Sequence, residues 1–236
     1  MCTMSSTEAS VEKRYLEVDA DVRRLGSERN PIPKLVVVSK FHGVEMIRPL
    51  LKAGHRVFGE SRVNEAREKW RGLREEYPDV DMHFIGRIQS RRIREIVELF
   101  DTIQSVDRVD VAASIARESS RLGRRIECLI QVNIGREPQK SGVLPENIDT
   151  LYRRCVEDLQ LHVRGFMCIP PSSVDPSMYF RAMHELKAIY GLPELSMGMS
   201  RDYHLAVNCG ATMIRVGERI LGCRPTVPGE PKRSEA

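Results

Sequence analysis

The segment Lys34-Leu-Val-Val-Val-Ser-Lys40 is a short apolar run that ends in a lysine. Residues 35–39 have the length and the β-branched composition of a buried strand in a parallel sheet. An amine at the carboxyl end of such a strand is costly to bury unless it has a partner or a chemical role. Because strand-end residues of α/β proteins usually line the functional site, we expect Lys40 to lie in it.

Strand-like and helix-like segments alternate along the chain. The apolar residues of segment 7–25 recur at three- and four-residue spacing, which predicts a leading helix. This alternation predicts an α/β fold, a single (β/α)8 TIM-type barrel with an extra N-terminal helix. Pro49 falls in the first crossover helix and is expected to kink or delay it. The strands predicted after the first are residues 56–58, 82–85, 102–105, 128–133, 162–167, 194–196 and 212–216.

A doubly wound open sheet is the alternative fold, because six or seven of these strands would serve it as well. Two observations favour the barrel: several predicted strands are very short, and no Gly-x-Gly-x-x-Gly motif follows the first one. We see no linker, so residues 1–236 are expected to form one domain, with 1–6 and 224–236 as flexible tails.

The composition indicates a soluble protein. The chain has 236 residues, a net charge of +4, and 41% hydrophobic residues. No apolar stretch reaches the ~18 residues of a membrane span, and the first residues do not resemble a signal peptide, so we expect a cytoplasmic protein without a membrane partner. The arginine-rich segments alternate with apolar residues and have no aromatic platform, so we expect solvated helix faces and no nucleic-acid partner.

The cysteines and histidines show no metal-ligand spacing. The six cysteines are therefore expected to be reduced thiols, and no metal is expected.

Closure of a barrel would place the eighth strand, which ends in Met213-Ile-Arg-Val-Gly217, beside the first. Arg215 and Gly217 are then expected next to Lys40, although they lie far away in the sequence. The loops after the seventh and eighth strands of barrels commonly hold a phosphate. Gly198 would let the backbone approach an anion, and Ser200 would add a hydroxyl and a helix cap.

A lysine amine, two amide-rich turns and an arginine together suit an aldehyde that carries a phosphate. Pyridoxal 5'-phosphate (PLP) is the obvious candidate. Each feature alone has a simpler interpretation: a salt-bridged strand-end lysine, an ordinary turn with a helix cap, or an arginine paired with a carboxylate. The prediction therefore depends on all three meeting at one barrel mouth.

Nine motifs, which span about four-fifths of the chain in family order, resemble the YggS/PROSC family of pyridoxal phosphate homeostasis proteins. The resemblance implies a PLP-binding barrel like the N-terminal domain of alanine racemase. The motifs are VVVSK (36–40), FGES (58–61), HFIGRIQS (83–90), SVDR (105–108), QVNI (131–134), KSG (140–142), RGFMCIP (164–170), LSMGMS (195–200) and GATMIRVGERILG (210–222).

The resemblance also implies roles for individual residues. Lys40 would form the Schiff base with PLP, and Arg215 would bond the pyridine nitrogen. Ser200 and the amides around Gly217 and Glu218 would hold the phosphate. No catalytic residue is predicted. The remaining candidates for contact with the cofactor are Met199, Asn64 and His83.

The chain departs from the family pattern at several places. Arg91-Arg92 stands where the family usually has Asn-Lys, and Ser61-Arg62 stands where it usually has Asn-Tyr. Glu218 stands where a threonine is common. Because a carboxylate repels phosphate, we expect the Glu218 side chain to turn outward while its backbone amide still binds.

Arg215 shapes the functional prediction. Arginine stays protonated and cannot give its proton to the pyridine nitrogen, so the ring remains a poor electron sink. Transamination and decarboxylation are therefore disfavoured. Alanine racemase takes a second base from a β-rich domain that we do not expect here.

We therefore predict a non-catalytic PLP carrier that buffers the cofactor or delivers it to PLP-dependent apo-enzymes. The alternatives are a PLP-dependent amino-acid racemase, a Schiff-base aldolase, and an interaction protein that uses its arginines. A monomer or weak homodimer is expected. A weaker hypothesis makes Lys140, in a loop after the fifth strand, a second docking point for phosphate or cofactor.

Overall fold

A closed barrel of parallel strands forms the centre of the computed structural model, which describes residues 6–26 and 31–223. Within these residues the strands follow one another around the barrel in chain order, and the last pairs with the first. The predicted (β/α)8 barrel is confirmed, and the doubly wound alternative is wrong because the sheet has no open edge. The strands are β1 (Lys34–Val38), β2 (Val57–Glu60), β3 (Asp81–Phe84), β4 (Thr102–Val106), β5 (Glu127–Val132), β6 (His162–Cys168), β7 (Glu194–Ser196) and β8 (Met213–Val216).

Helices follow the strands and cover the outside of the barrel, and an additional helix precedes β1, as predicted. The helix after β1 runs through Pro49, whose side chain is buried. The helices are α1 (Ser6–Leu25), α2 (Val44–Lys52), α3 (Val63–Glu76), α4 (Ile93–Leu99), α5 (Val109–Leu122), α6 (Ile148–Arg153), α7 (Ser177–Ile189), α8 (Tyr203–Asn208) and α9 (Glu218–Leu221).

The boundaries differ slightly from the predicted ones. The first strand begins and ends one residue earlier than predicted, so Ser39 and Lys40 belong to the turn that follows it. Of the predicted N-terminal tail 1–6, Ser6 already belongs to α1. The rest of that tail, which includes Cys2, and the predicted tail 224–236 lie outside the described residues. Among the described helices, none has both the length and the apolar character to span a membrane.

The pairing of β1 with β8 closes the barrel and positions the site. Val36 lies opposite Arg215, and Val37 lies opposite Val216. Gly217 packs so closely on β1 that a Cβ atom there would lie 2.9 Å from the carbonyl oxygen of Val38. The end of β8 therefore lies against the end of β1, two residues before Lys40.

The main core lies between the strands and the helices. The apolar residues of the helices are buried there, as Trp70 of α3 and Phe100 after α4 illustrate. A separate, smaller cluster joins Leu129, Met167 and Met213 from β5, β6 and β8. We place this cluster inside the barrel, because these strands are not all neighbours in the sheet and can meet only across its interior.

Candidate functional site

Lys40 lies in a tight turn at the carboxyl end of β1. The amide of His42 donates to the carbonyl of Ser39 across 3.3 Å, which makes Lys40 and Phe41 the two central residues of the turn. Phe41 has a φ of 69°. A positive φ at the third position is typical of type II turns, which normally place Gly or Asn there. Lys40 is half-buried, and its Nζ lies 5.7 Å from the centre of the Phe41 ring.

Arg215 points into the barrel and is only 4% exposed. Its two terminal nitrogens donate to Ser196 Oγ at 2.7 Å and to the carbonyl of Cys168 at 2.9 Å. Burial lowers the pKa of the guanidinium, which is so high in arginine that the group stays protonated. No described carboxylate forms an ion pair with it. The simpler interpretation, an arginine paired with a carboxylate, is therefore not what the structure shows.

A chain of hydrogen bonds continues from Arg215 across the barrel. Ser196 Oγ donates to Gln104 Oε1 at 2.6 Å, and Gln104 Nε2 lies 2.7 Å from His83 Nδ1. The other ring nitrogen of His83 lies 3.0 Å from Asp81 Oδ2. The donors and acceptors agree in direction if His83 is neutral and protonated on Nε2. Each group then donates to the next, from the guanidinium to the carboxylate.

Two turns with unpaired amides lie at the carboxyl ends of β7 and β8. The amides of Ser200, Gly217 and Glu218 donate to none of the described residues. Gly198 has a φ of 88°, and its carbonyl accepts from the amide of Arg215 at 3.0 Å, which links the first turn to β8. Three donors are thus available to an anion.

At two positions of these turns, Met199 and Glu218, the side chain is exposed. The amide of Met199 already donates to Asp202 Oδ1 at 2.6 Å, and the Met199 side chain is exposed. The side chain of Glu218 is exposed as well, and its Oε1 faces Cys223 Sγ at 3.8 Å. Glu218 can therefore offer its backbone amide to an anion.

His83 lies on β3, and Asn64 lies in the first turn of α3. His83 is fully buried, and Gln104 and Ser196 stand between its ring and Arg215. Asn64 is exposed in the first turn of α3, where its Oδ1 accepts from Arg92.

Two of the departures from the family pattern, Ser61-Arg62 and Arg91-Arg92, lie on one part of the rim. A cavity of about 570 Å³ opens between the loops after β2 and β3. Arg62 also stacks on Phe41, 4.5 Å from the ring centre, so this cavity adjoins the Lys40 turn. Its lining includes Ser61, Arg62, Asn64, Arg87, Arg91 and Arg92.

Lys140 lies where the loops after β5 and β6 meet. Its Nζ donates to the carbonyl of Pro170 at 3.0 Å and lies 2.6 Å from Glu137 Oε2. In this conformation the amine holds two loops together.

The sequence analysis did not identify Gln104 and Ser196. Both are fully buried polar residues of strands, Gln104 of β4 and Ser196 of β7, whose side chains face the barrel interior. It also missed Glu60 and Lys69, two buried charged residues behind the Lys40 turn.

Comparisons with known proteins agree with the motifs. The family model described as alanine racemase, N-terminal domain, matches residues 16–225. A pyridoxal phosphate homeostasis protein from Aquifex aeolicus (strain VF5) is 36% identical over 200 residues, which cover 81% of this chain and 87% of the relative. The protein of the same name from Vibrio alginolyticus is 34% identical over 234 residues, which cover 94% of this chain and 99% of the relative.

Solved structures agree as well. PipY of Synechococcus elongatus PCC7942, solved with PLP bound, has a TM-score of 0.79 and 34% sequence identity, and the match covers 90% of this chain and all 100% of PipY. The chain therefore belongs to the alanine racemase N-terminal domain family and, within it, to the pyridoxal phosphate homeostasis proteins, as its motifs predict.

Proposed function

We propose that this protein binds pyridoxal 5'-phosphate on Lys40 as a Schiff base and buffers or delivers it without strong catalysis of its own. The names of its relatives and the PLP-bound structure of PipY support this proposal. When bound, the cofactor would supply an aldehyde, and the Lys40 amine is the group that would condense with it, with the loss of one water molecule.

The residues present fit this cofactor. The unpaired amides of Ser200, Gly217 and Glu218 can donate to a phosphate. Arg215 can donate to the pyridine nitrogen, which lies opposite the aldehyde-bearing carbon of the ring. Met199, Asn64 and His83 stay proposed contacts of the cofactor.

The main support for the proposal is the burial of Arg215 together with its hydrogen bonds. Among the described residues this guanidinium, which is 4% exposed, bonds only a hydroxyl and a carbonyl, so it retains donors for a further acceptor. An unprotonated ring nitrogen of PLP could accept a hydrogen bond from one of these donors. Because arginine cannot supply a proton at neutral pH, the ring stays a weak electron sink, which suits a carrier better than a transaminase or a decarboxylase.

A PLP-dependent amino-acid racemase is the second candidate, since the matching family model is that of the alanine racemase N-terminal domain. A weak electron sink is compatible with racemisation. That reaction also needs an acid or base on each face of the ring. Rapid racemisation of alanine by the PLP-loaded protein would favour this candidate.

The proposal extends to partners and organisation. We infer delivery to PLP-dependent apo-enzymes, a monomeric or weakly dimeric chain that forms one domain, and a cytoplasmic location. Several of the arginines in the segments predicted as solvated helix faces pair with acidic neighbours on their own helices, which reduces the charge that they offer to nucleic acid. Such pairs are Arg94 with Glu98, Arg121 with Glu118, and Arg153 with Asp149.

Lys140 stays a proposed second docking point. It would have to release Pro170 or Glu137 to receive a phosphate. Unchanged rates of PLP uptake and release after Lys140→Ala would rule the idea out.

The deciding experiment compares PLP binding by the wild type, Lys40→Ala and Lys52→Ala, the last an exposed lysine at the end of α2. We expect yellow wild-type and Lys52→Ala proteins, and borohydride should add the mass of reduced cofactor to Lys40. Lys40→Ala should lose the colour and the mass while it stays folded by circular dichroism. A colourless wild type, or a label on another lysine, would overturn the proposal.

A further inference from the structure

A buried lysine lies directly behind the turn that carries Lys40. Lys69, on α3, has a side chain that is only 5% exposed. Its Nζ donates to the carbonyl of Ser39 at 2.7 Å and to that of His42 at 3.0 Å. These two carbonyls belong to the first and last residues of the turn. One ammonium group therefore ties both ends of the four-residue segment 39–42 to α3.

Two glutamates complete the support of this turn. Glu60, at the end of β2, is fully buried; its Oε1 lies 2.7 Å from Lys69 Nζ and accepts from Ser39 Oγ at 2.7 Å. Glu65 lies 3.0 Å from Lys69 Nζ and also accepts the amide of Phe41. The backbone on both sides of Lys40 is therefore held by side chains of β2 and α3.

The turn needs such support because its conformation is unfavourable for its sequence. Phe41 has a φ of 69°, and a left-handed backbone is unfavourable for a residue that has a side chain. Strained residues of this kind persist where the surroundings determine their conformation, and they concentrate at functional sites.

Fold stability alone does not account for this arrangement. Replacing a buried ion pair by apolar residues of similar size is often neutral or stabilising. The same position on α3 could carry an apolar side chain, but an apolar side chain could not bond the two carbonyls of the turn. By bonding both carbonyls, the charged group fixes the backbone of the turn in which Lys40 lies.

We propose that Lys69 is a positioning residue for Lys40, which it holds in the orientation for reaction with an aldehyde by bonding both ends of the turn. The inference rests on the proposed function and deepens it. Lys69 does not touch the cofactor. It acts through the backbone of Ser39 and His42, while Glu60 and Glu65 orient its ammonium group.

Two ligands separate this role from a general effect on the fold. PLP reports both the Schiff base and the non-covalent contacts. Pyridoxine 5'-phosphate has an alcohol in place of the aldehyde, so it reports the phosphate turns and Arg215 alone. Affinities for both are measured by titration of the wild type, Lys69→Met and Lys52→Met, which removes an exposed lysine of α2 as a control.

We expect Lys69→Met to weaken PLP binding about ten- to a hundredfold, the scale of a misplaced reacting group, and to slow borohydride-trapped labelling of Lys40. Its affinity for pyridoxine 5'-phosphate should stay within about twofold of the wild type, because no step of that binding depends on the Lys40 amine. Lys52→Met should match the wild type with both ligands.

Since Lys69→Met leaves Glu60 buried without its cation, a second variant guards against misfolding. Glu65→Ala removes the acceptor of the Phe41 amide but keeps the pair of Lys69 with Glu60, and it should weaken PLP binding about threefold with pyridoxine 5'-phosphate unaffected. The inference is overturned if a folded Lys69→Met binds PLP as the wild type does. It is also overturned if this variant weakens the binding of both ligands together. If Lys69→Met does not fold, the same criteria apply to Glu65→Ala. A wild type that binds pyridoxine 5'-phosphate and PLP equally, with no label on Lys40, would instead overturn the proposed function.

Discussion

Glu60 is a carboxylate in an unusual setting. It is fully buried, and its Oε2 has no hydrogen-bond partner among the described residues. Burial raises the pKa of Glu60, and the nearby Lys69 charge with the hydrogen bonds from Lys69, Ser39 and Trp70 offsets that effect only in part. The folded state therefore holds the proton of this group more tightly than the unfolded state does.

This difference predicts how stability depends on pH. Because the folded-state pKa of Glu60 is raised, its contribution to stability is fully present below the ordinary glutamate pKa of about 4.3 and is lost as pH rises through the folded-state value. The wild type should therefore lose about 1–3 kcal/mol of unfolding free energy relative to Glu60→Gln between acidic and neutral pH. Urea unfolding of both proteins from pH 4.5 to 8 measures this, and parallel curves would contradict it.

Among the elements, the strands were the most predictable from the sequence. Short apolar runs separated by amphipathic helices identify them, and once eight are counted, closure brings β8 to β1. The prediction that Arg215 and Gly217 lie near Lys40 followed from that count. The turn at Phe41 was not predictable, because the rule for a positive φ looks for Gly or Asn.

The polar chain inside the barrel was not predicted either. Gln104 lies on β4 and Ser196 on β7, strands that are far apart in the sheet. Their contact depends on which side of each short strand faces inward and on how far the side chains reach across. Neither quantity is visible in a segment such as the three-residue β7.

The chain of hydrogen bonds from Arg215 to Asp81 predicts that replacing Ser196 affects the site. Ser196→Ala removes an acceptor of Arg215 and the donor of Gln104, so a buried guanidinium loses one of its bonds. We expect the unfolding free energy to fall by about 1–3 kcal/mol. Because Arg215 is then held less firmly, binding of pyridoxine 5'-phosphate should weaken too. Ser120→Ala, on the exposed side of α5, is the control, and equal ligand affinities in the two variants would contradict a role of the chain in the site.

At the scale of the whole molecule, α1 lies over the seam where the barrel closes. It packs against α2, which follows β1, and against α8 and α9, which flank β8. Arg14 Nε donates to the carbonyl of Ile220 in α9 at 2.7 Å, and Tyr203 of α8 donates to Asp21 at 2.6 Å. The helix outside the (β/α)8 repeat thus joins the two elements that follow the proposed phosphate turns.

This arrangement predicts that a residue of α1 affects the phosphate without contacting it. Arg14→Ala removes the bond to Ile220, and α9 has only four residues to hold Gly217 and Glu218 in place. We expect PLP and pyridoxine 5'-phosphate to lose affinity together, about threefold each, since the loss of one hydrogen bond is of that size. Lys13→Ala, an exposed neighbour on the same helix, should bind both as the wild type does.

The pair of ligands gives this variant a different signature from Lys69→Met. A change in the Lys40 turn alters the binding of the aldehyde alone, whereas a change at α9 alters the anion site that both ligands share. Titration of Arg14→Ala with each ligand at low ionic strength, where the phosphate contribution is largest, measures the difference. If Arg14→Ala weakened the binding of PLP alone, α1 would act on the turn that carries Lys40, through α2. The phosphate site would then have to be assigned elsewhere.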